Sequence, residues 1–266
     1  MLAEQVLFVL NGSIDRKSYL EKFHHKSEYD HKSEYDFRQL HINGSQKNST
    51  VKGSTMATTT RKYLSEDTSY NGKCACDKQK SIKVRGAVMS ALFFVPSGVR
   101  FSLGPVTVSS QVLRNVAIAI ASDKIKICVV PAVCLSHGLL GAYNGQTNTM
   151  IFADSIIGTQ MLYATAIHEA VHASVDLRKI RVLEAHDEAA AFITDALYAL
   201  YALPGRIRSS TPIESEAIRI AQAIRNSKLP RQLQTNVVEL SALYRLLQSS
   251  SGYGPTIFKT FSVANG

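Results

Sequence analysis

Residues 168–172 read His-Glu-Ala-Val-His, and this stretch decides how the rest of the chain is interpreted. On an α-helix, residues four apart lie one above the other on the same face. His168 and His172 can therefore aim one ring nitrogen each at a common point beside the helix. Two imidazoles at about 2.0–2.1 Å supply half of the tetrahedral shell that zinc prefers. Glu169 lies beside them, where it could act on a water molecule held by such an ion.

The segments on either side of this motif predict a pair of helices. Residues 159–167 contain no Gly or Pro and are rich in helix-forming types, and an apolar stripe continues to Val175. A short charged break at 178–181 precedes a second helical stretch, which starts near Leu183 and ends before Pro204. A break this short favours an antiparallel hairpin.

Folding this hairpin about residue 180 brings His172 opposite the positions near 188. Glu188 is therefore the candidate third ligand. Two histidines and one glutamate leave a fourth position for water, which is typical of catalytic zinc sites. Three alternatives remain on the second helix: Glu184 lies nearer the loop, Asp187 lies about a quarter-turn away, and His186 faces roughly opposite to Glu188.

A further carboxylate, Asp195, follows Glu188 by two helical turns on a similar face. In the hairpin it lies near the level of His168. Histidines that bind a metal usually donate their second N–H to a carboxylate or a carbonyl, which fixes the ring orientation. Asp195 is a candidate for this contact, and a solvated helix carboxylate is the alternative.

The motif at 168–172, followed by Asp-Glu-Ala-Ala-Ala-Phe at 187–192, resembles the core of the gluzincin zinc metallopeptidases. The Glu-Ala-x-x-Phe stretch is particularly similar to the ImmA/IrrE-like branch, which is found in bacteria and mobile elements; an uncharacterised bacterial branch is the other placement. The resemblance covers residues 159–202. It implies zinc ligands at His168, His172 and Glu188, a general base at Glu169, and hydrolysis of a peptide or protein substrate.

The resemblance also implies a fold and a substrate strand. We expect an α+β zincin-like domain, with a small sheet and a helical bundle around the helix hairpin. Zincins usually place an edge strand before the metal helix, antiparallel to an extended substrate, and residues 148–153 are the candidate; an ordinary sheet strand is the alternative. For the oxyanion, Tyr143, Tyr198 and Tyr201 are unranked candidates, of which the last two could equally be core aromatics.

Composition divides the chain into two parts. Residues 1–83 are polar, and at 25–36 they contain the hexapeptide His-Lys-Ser-Glu-Tyr-Asp twice in succession. We predict that this part is disordered or loosely packed. Periodic apolar segments follow from Val84, and they predict strands at 124–130, 142–144 and 149–152 and helices at 111–121, after Thr211 and at 232–248. Residues 84–266 are therefore predicted to form the zincin-like domain.

Charge and cysteine usage limit the partners and the compartment. The formal net charge is +9, and the basic stretch 206–231 permits weak attraction to nucleic acid. No basic run with interleaved aromatics marks a nucleic-acid platform. No stretch approaches the ~20 apolar residues of a membrane span. The four cysteines show no disulfide spacing and no clear signal peptide precedes them, so a reduced, cytoplasmic location is expected.

Three hypotheses for the function follow from these observations. The favoured one is a zinc metallopeptidase in which Glu169 takes a proton from water and passes it to the leaving amine. The second is a catalytically silent zincin-like protein that binds metal or a partner. The third is a nucleic-acid-associated regulator that uses the stretch 206–231, which would show a steep salt dependence of binding.

Overall fold

The helix that carries the His-Glu-Ala-Val-His motif packs with helices and small sheets in a computed structural model of the chain. The structure describes residues 74–135, 139–202, 211–227, 231–233, 238–250 and 260–261, which belong to one compact unit. The N-terminal segment predicted to be loosely packed lies outside these ranges up to residue 73. The described part begins at Cys74, before the boundary that we expected at Val84.

Helices and short strands are interspersed along the described ranges. The helices are α1 Lys78–Phe93, α2 Ser110–Ala121, α3 Gln160–Leu177, α4 Glu184–Ala202, α5 Pro212–Arg225 and α6 Val238–Ser249. The strands are β1 Arg100–Leu103, β2 Val106–Ser109, β3 Lys126–Val130, β4 Gly141–Asn144, β5 Thr149–Ala153, β6 Val182–Leu183, β7 Arg231–Leu233 and β8 Thr260–Phe261. The α+β class predicted from the sequence is confirmed.

The strands form three small sheets. In the first, β1 lies between β2 and β7, antiparallel to the former and parallel to the latter. In the second, β5 lies between β3, which is parallel to it, and β4, which is antiparallel. The third is the antiparallel pair β6 and β8.

The position of β5 corrects one prediction. Residues 148–153 were expected to supply an edge strand, but Ile151 of β5 pairs with Cys128 on one side and with Ala142 on the other. The reason is that β3 pairs directly with β5, although β4 comes between them in the sequence. Such a long-range parallel pairing cannot be recognised from the local sequence pattern. Within the described ranges, the edge next to α3 belongs to β4.

The opposite edge of this sheet is covered by the segment that precedes α1. The Asp77 N–H donates to the Val129 carbonyl at 2.8 Å, and the Val129 N–H donates to Ser81 Oγ at 3.0 Å. Two disulfides, Cys74–Cys134 and Cys76–Cys128, attach the same segment to β3 and to the turn after it. The segment therefore blocks the addition of another strand beside β3.

These disulfides correct the expectation that the cysteines form no framework. Cys74 and Cys76 stand too close for a zinc-ligand pair, but each bonds to a cysteine of the second sheet region, with Cα–Cα distances of 6.1 and 5.2 Å. The sequence separations are 60 and 52 residues, so only the tertiary fold brings the partners together. All four cysteines of the chain are paired.

The helix hairpin predicted around the motif is confirmed. Helix α3 ends at Leu177, and Lys179 takes a left-handed φ of 53°, which turns the chain toward α4. Both helices bury several alanines, whose small side chains permit close packing of neighbouring helices. These alanines are Ala166, Ala170 and Ala173 on α3 and Ala185, Ala189 and Ala196 on α4.

The remaining helices pack around this hairpin. Helix α5 begins with the predicted N-terminal signal: Thr211 Oγ1 accepts from the Glu214 N–H, and the Glu214 carboxylate accepts from the Thr211 N–H. Helix α6 starts at Val238, later than the predicted 232, because residues 231–233 form β7. In the described ranges, each helix is too short or too polar to cross a membrane.

Candidate metal centre

Three side chains from α3 and α4 meet inside the helix hairpin. His168 and His172 lie one turn apart on α3, and Glu188 reaches them from α4, as the sequence predicted. The ligand atoms that these residues offer all lie within 4.8 Å of one another. All three side chains are buried, with exposed fractions of 1 %, 4 % and 0 %.

The distances within this group suit a shared cation better than direct hydrogen bonds. Glu188 Oε2 lies 3.7 Å from His168 Nε2, and Glu188 Oε1 lies 3.8 Å from His172 Nε2. Hydrogen bonds between nitrogen and oxygen are shorter, at about 2.7–3.2 Å. Ligand atoms about 2.0–2.1 Å from one tetrahedral ion lie roughly 3.3 Å apart. A small movement of side chains would therefore bring all three onto one ion.

Carboxylates hold the other ring nitrogen of each histidine. His168 Nδ1 lies 3.0 Å from Asp195 Oδ2, and His172 Nδ1 lies 2.5 Å from Asp187 Oδ2. A carboxylate accepts, so each Nδ1 carries a proton and each Nε2 is the nitrogen left to bind a metal. This is the tautomer that a zinc ligand needs.

These two contacts settle the roles of residues that the sequence left open. The contact between Asp195 and His168 is confirmed. Asp187 was considered only as an alternative ligand, whereas it bonds to the back of His172. The sequence signal for this contact was that Asp187 directly precedes Glu188 on α4.

Aromatic packing fixes His168 from a further direction. The Phe192 ring lies with its centroid 5.0 Å from that of His168, at an interplanar angle of 82°. The two histidine rings lie 5.1 Å apart at 61°. Edge-to-face contacts of this kind are favourable and restrict rotation of the imidazole. Phe192 therefore supports the ligand geometry that Asp195 sets by hydrogen bonding.

The centre holds more negative than positive charge in a buried place. Glu169, Asp187 and Glu188 are each at most 3 % exposed. Burial lowers the pKa of His172, but the neighbouring Asp187, Glu188 and Glu169 carboxylates outweigh this and raise it to about 9. Buried carboxylates need compensating positive charge. Without a metal, a proton on His172 Nε2 supplies part of it; a divalent cation between the ligands would displace that proton and supply more.

The alternative ligands on α4 lie away from this point. Glu184 is half-buried, and burial together with Asp187 raises its pKa to about 7. His186 packs its ring 5.6 Å from that of Tyr244 on α6, and burial lowers its pKa. Among the described residues, the group of possible ligands contains Glu188 and neither of these two.

The predicted oxyanion candidates are placed by other contacts. The Tyr143 hydroxyl donates to Asp176 Oδ2 at 2.6 Å. The Tyr201 ring lies against Gly98 and beneath the guanidinium of Arg225, which is 5.5 Å from the ring centroid. Burial raises the pKa of Tyr198. The contacts described for these three tyrosines do not include a candidate ligand, so the oxyanion role stays unassigned.

The edge strand β4 packs on α3 at two points. A Cβ atom on Gly141 would lie 2.5 Å from Thr165 Cγ2, so the strand backbone rests directly on α3 there. Two residues further on, Tyr143 reaches Asp176 in the last turn of α3. The strand therefore follows α3 from the turn before the motif to the turn after it.

The helical periodicity relates these two points to the motif. At about 100° per residue, Thr165 and Asp176 project about 60° and 80° around the α3 axis from His168. His172 projects at about 40° and Glu169 at about 100°. The strand is therefore attached to the same face of α3 that carries the second histidine and the glutamate.

Comparison with known proteins adds no further evidence on this centre. Neither a protein-family model, nor a curated protein, nor a solved structure gives a match to the chain.

Proposed function

We propose that this protein is a zinc-dependent metallopeptidase of the gluzincin type. The observation that supports this most strongly is the convergence of His168, His172 and Glu188 on one buried point, with a carboxylate behind each histidine. The donor set is two imidazoles and one carboxylate, which suits zinc and leaves a fourth position open. Structural zinc sites, in contrast, usually close all four positions with protein ligands that include cysteine.

Within this proposal the buried carboxylates have separate tasks. When bound, zinc lowers the pKa of a coordinated water toward about 7 and polarises a carbonyl group. Glu169 follows His168 on the same helix and acts electrostatically on His172, so it lies beside the centre. It would accept the proton of the attacking water and donate it to the leaving amine. Asp187 and Asp195 would fix the orientation of the two imidazole rings through their Nδ1 atoms.

The edge strand β4 would bind the substrate backbone. It pairs with β5 on one side and is attached to the motif face of α3, so an extended peptide that adds to its other side would pass the centre. Backbone pairing of this kind gives affinity with little side-chain selectivity. This proposal replaces 148–153 with Gly141–Asn144 as the substrate strand.

A catalytically silent metal protein is the second candidate, and burial of the centre favours it. The general base Glu169 is only 3 % exposed, and Glu188 has no exposed surface. A peptidase would need a movement that admits the substrate to this point, whereas a structural or regulatory metal site would not. Metal content alone does not distinguish the two.

The nucleic-acid reading of the stretch 206–231 gains no support. Among its described residues, Arg219 makes a bidentate pair with Glu216, at 3.0 and 2.7 Å. Arg225 donates to the Leu200 carbonyl at 3.2 Å and stacks on Tyr201. Both arginines are exposed on α5 and pair with groups of the same chain, as expected for a solvated helix face.

The disulfides favour a location other than the expected cytoplasm. Paired cysteines persist in oxidising compartments and are rare where thiols are kept reduced. We therefore propose that the chain folds in an oxidising compartment, such as a periplasm or the cell exterior. Alkylation of thiols in protein taken directly from its native compartment would test this, because a fully paired chain incorporates no label.

Substitution of the proposed base separates an active peptidase from a silent protein. Glu169→Gln keeps the shape of the side chain but removes its ability to accept a proton. We expect the zinc-loaded wild type to cleave members of a peptide library, and the variant to retain zinc but lose cleavage by at least about 100-fold. Glu216→Gln on α5 is the control and should cleave normally. A wild type that holds zinc and cleaves nothing would favour the silent protein.

A further inference from the structure

We propose that Tyr143 is a positioning residue, whose bond to Asp176 holds the edge strand β4 at the height over α3 at which an extended peptide pairs with it. This inference rests on the proposed peptidase function. It differs from the oxyanion role considered from the sequence, because it gives the hydroxyl a structural partner and no contact with the reacting atoms.

The two faces of β4 explain why Tyr143 carries this task. Side chains alternate along a strand, so Gly141 and Tyr143 share one face and Ala142 and Asn144 share the other. The first pair faces α3, as the contacts with Thr165 and Asp176 show. Gly141 has no side chain. Tyr143 is therefore the β4 residue that can hold the strand to the helix by a side-chain bond.

The bond at this end has the geometry of a fixed attachment. The hydroxyl lies 2.6 Å from Asp176 Oδ2 and 3.0 Å from Asn148 Oδ1, and Tyr143 is partly buried. Burial and the hydrogen bond to Asp176 raise the pKa of Tyr143, so that the phenol keeps its proton and remains a donor. Asn148, in the β4–β5 turn, is a second and more distant acceptor for the same hydroxyl proton.

The other end of the strand, at Gly141, is held by steric contact with α3. The Thr165 side chain already occupies the place of a Gly141 Cβ, so the backbone has no room to approach α3 further. Loss of the bond between Tyr143 and Asp176 would let the turn end of the paired strands β4 and β5 pivot away from α3 about Gly141. Such a pivot would lift the pairing edge away from the helix that carries Glu169, and it would weaken substrate binding before it altered the chemistry.

A double-mutant cycle tests this inference. The variants are Tyr143→Phe, Asp176→Ala and the double variant, with Asp176→Asn as the conservative change because its amide oxygen can still accept from the hydroxyl. Tyr244→Phe, which removes a hydroxyl from a partly buried ring that packs on His186, is the control. Each zinc-loaded protein is assayed on the library peptide that the wild type cleaves fastest, and hydrogen exchange is measured across β4.

We expect Tyr143→Phe and Asp176→Ala each to raise KM about tenfold with kcat within twofold, and the double variant to be no worse than either. Exchange of the β4 amides should accelerate in both variants while zinc content is unchanged, and Asp176→Asn should restore most of the wild-type behaviour. A fall in kcat in Tyr143→Phe alone would overturn the inference and indicate an oxyanion role.

Unchanged β4 exchange in both single variants would overturn it as well. A wild type that cleaves no peptide would instead contradict the proposed peptidase function and, with it, the role of Tyr143 in substrate binding.

Discussion

Asp187 Oδ2 lies 2.5 Å from His172 Nδ1, while the next residue of α4, Glu188, faces the opposite ring nitrogen at 3.8 Å. The carboxylates of two adjacent residues thus face the two nitrogens of one imidazole. The short distance is a hydrogen bond, and the longer one leaves the room that a shared ion requires. One turn of helix therefore supplies both a ligand and the group that orients another ligand.

The first prediction concerns the carboxylates behind the histidines. Asp187→Asn should weaken zinc affinity about 10- to 100-fold, because the ring loses a charged partner that fixes its tautomer. Asp195→Asn should have a smaller effect, since the Asp195 side chain is 24 % exposed and the Asp187 side chain only 4 %, so that solvent screens its charge more. Competition with a fluorescent chelator measures both, and a larger loss for Asp195→Asn would contradict this ranking.

The second prediction is a pH dependence of stability in chelator-treated protein. The pKa of Glu184 is raised in the folded state from its ordinary 4.5 to about 7, chiefly by burial. Between these values the folded protein binds the proton that the unfolded chain releases, so this group's contribution is complete below 4.5 and is lost as the pH rises through 7.

Glu184→Gln removes that dependence. Its unfolding free energy relative to the wild type should therefore increase as the pH rises from about 4.5 to about 7, and should level off above this window. Urea denaturation at a series of pH values measures the difference. A difference that stays constant across the window, or that changes in the opposite direction, would show that the carboxyl is not buried beside Asp187.

The third prediction is that the two disulfides are not additive. Each closes a long loop, but once one is formed the other closes a ring of only about ten residues, so it restricts the unfolded chain less. Removing either pair with alanines should cost about 2.7 kcal/mol, and removing both should cost about 7 kcal/mol, which exceeds the sum of the single losses. Chemical denaturation of the three variants gives the cycle. Exact additivity would mean that the bridges do not enclose one another.

The fourth prediction uses two glycines with opposite surroundings. Gly141→Ala places a methyl group against Thr165 and the Ile151 backbone, and we expect a loss of about 1–3 kcal/mol. Gly86→Ala, within α1, meets no atom within 4 Å and should gain roughly 0.5–1 kcal/mol. Thermal denaturation distinguishes the signs. A neutral Gly141→Ala would mean that β4 does not rest on α3.

Helices α3 and α4 could be predicted from the sequence because the relevant signals are local. The spacing of His168 and His172 sets their common face, and the short break after Leu177 sets the hairpin that delivers Glu188. Asp195 followed from the same helical arithmetic. Each of these arguments needs only the chain within about two helices.

The sheet and the disulfides required information that local patterns lack. β3 pairs in parallel with β5, although β4 lies between them in the sequence. The edge strand is therefore Gly141–Asn144 and not the predicted 148–153. Cys74 and Cys76 find partners 60 and 52 residues away, which depends on how α1 packs against β3. Asp187 was misjudged for a related reason, since its contact depends on the depth at which α4 packs on α3.

The most direct test of the central claim is the zinc content of purified protein after dialysis against the metal, measured by elemental analysis. We expect one equivalent in the wild type, less than about a tenth of that in His168→Ala and Glu188→Ala, and one equivalent in the control His186→Ala, whose ring packs on Tyr244 instead. A wild type that takes up no zinc, or a His168→Ala variant that retains a full equivalent, would contradict the account.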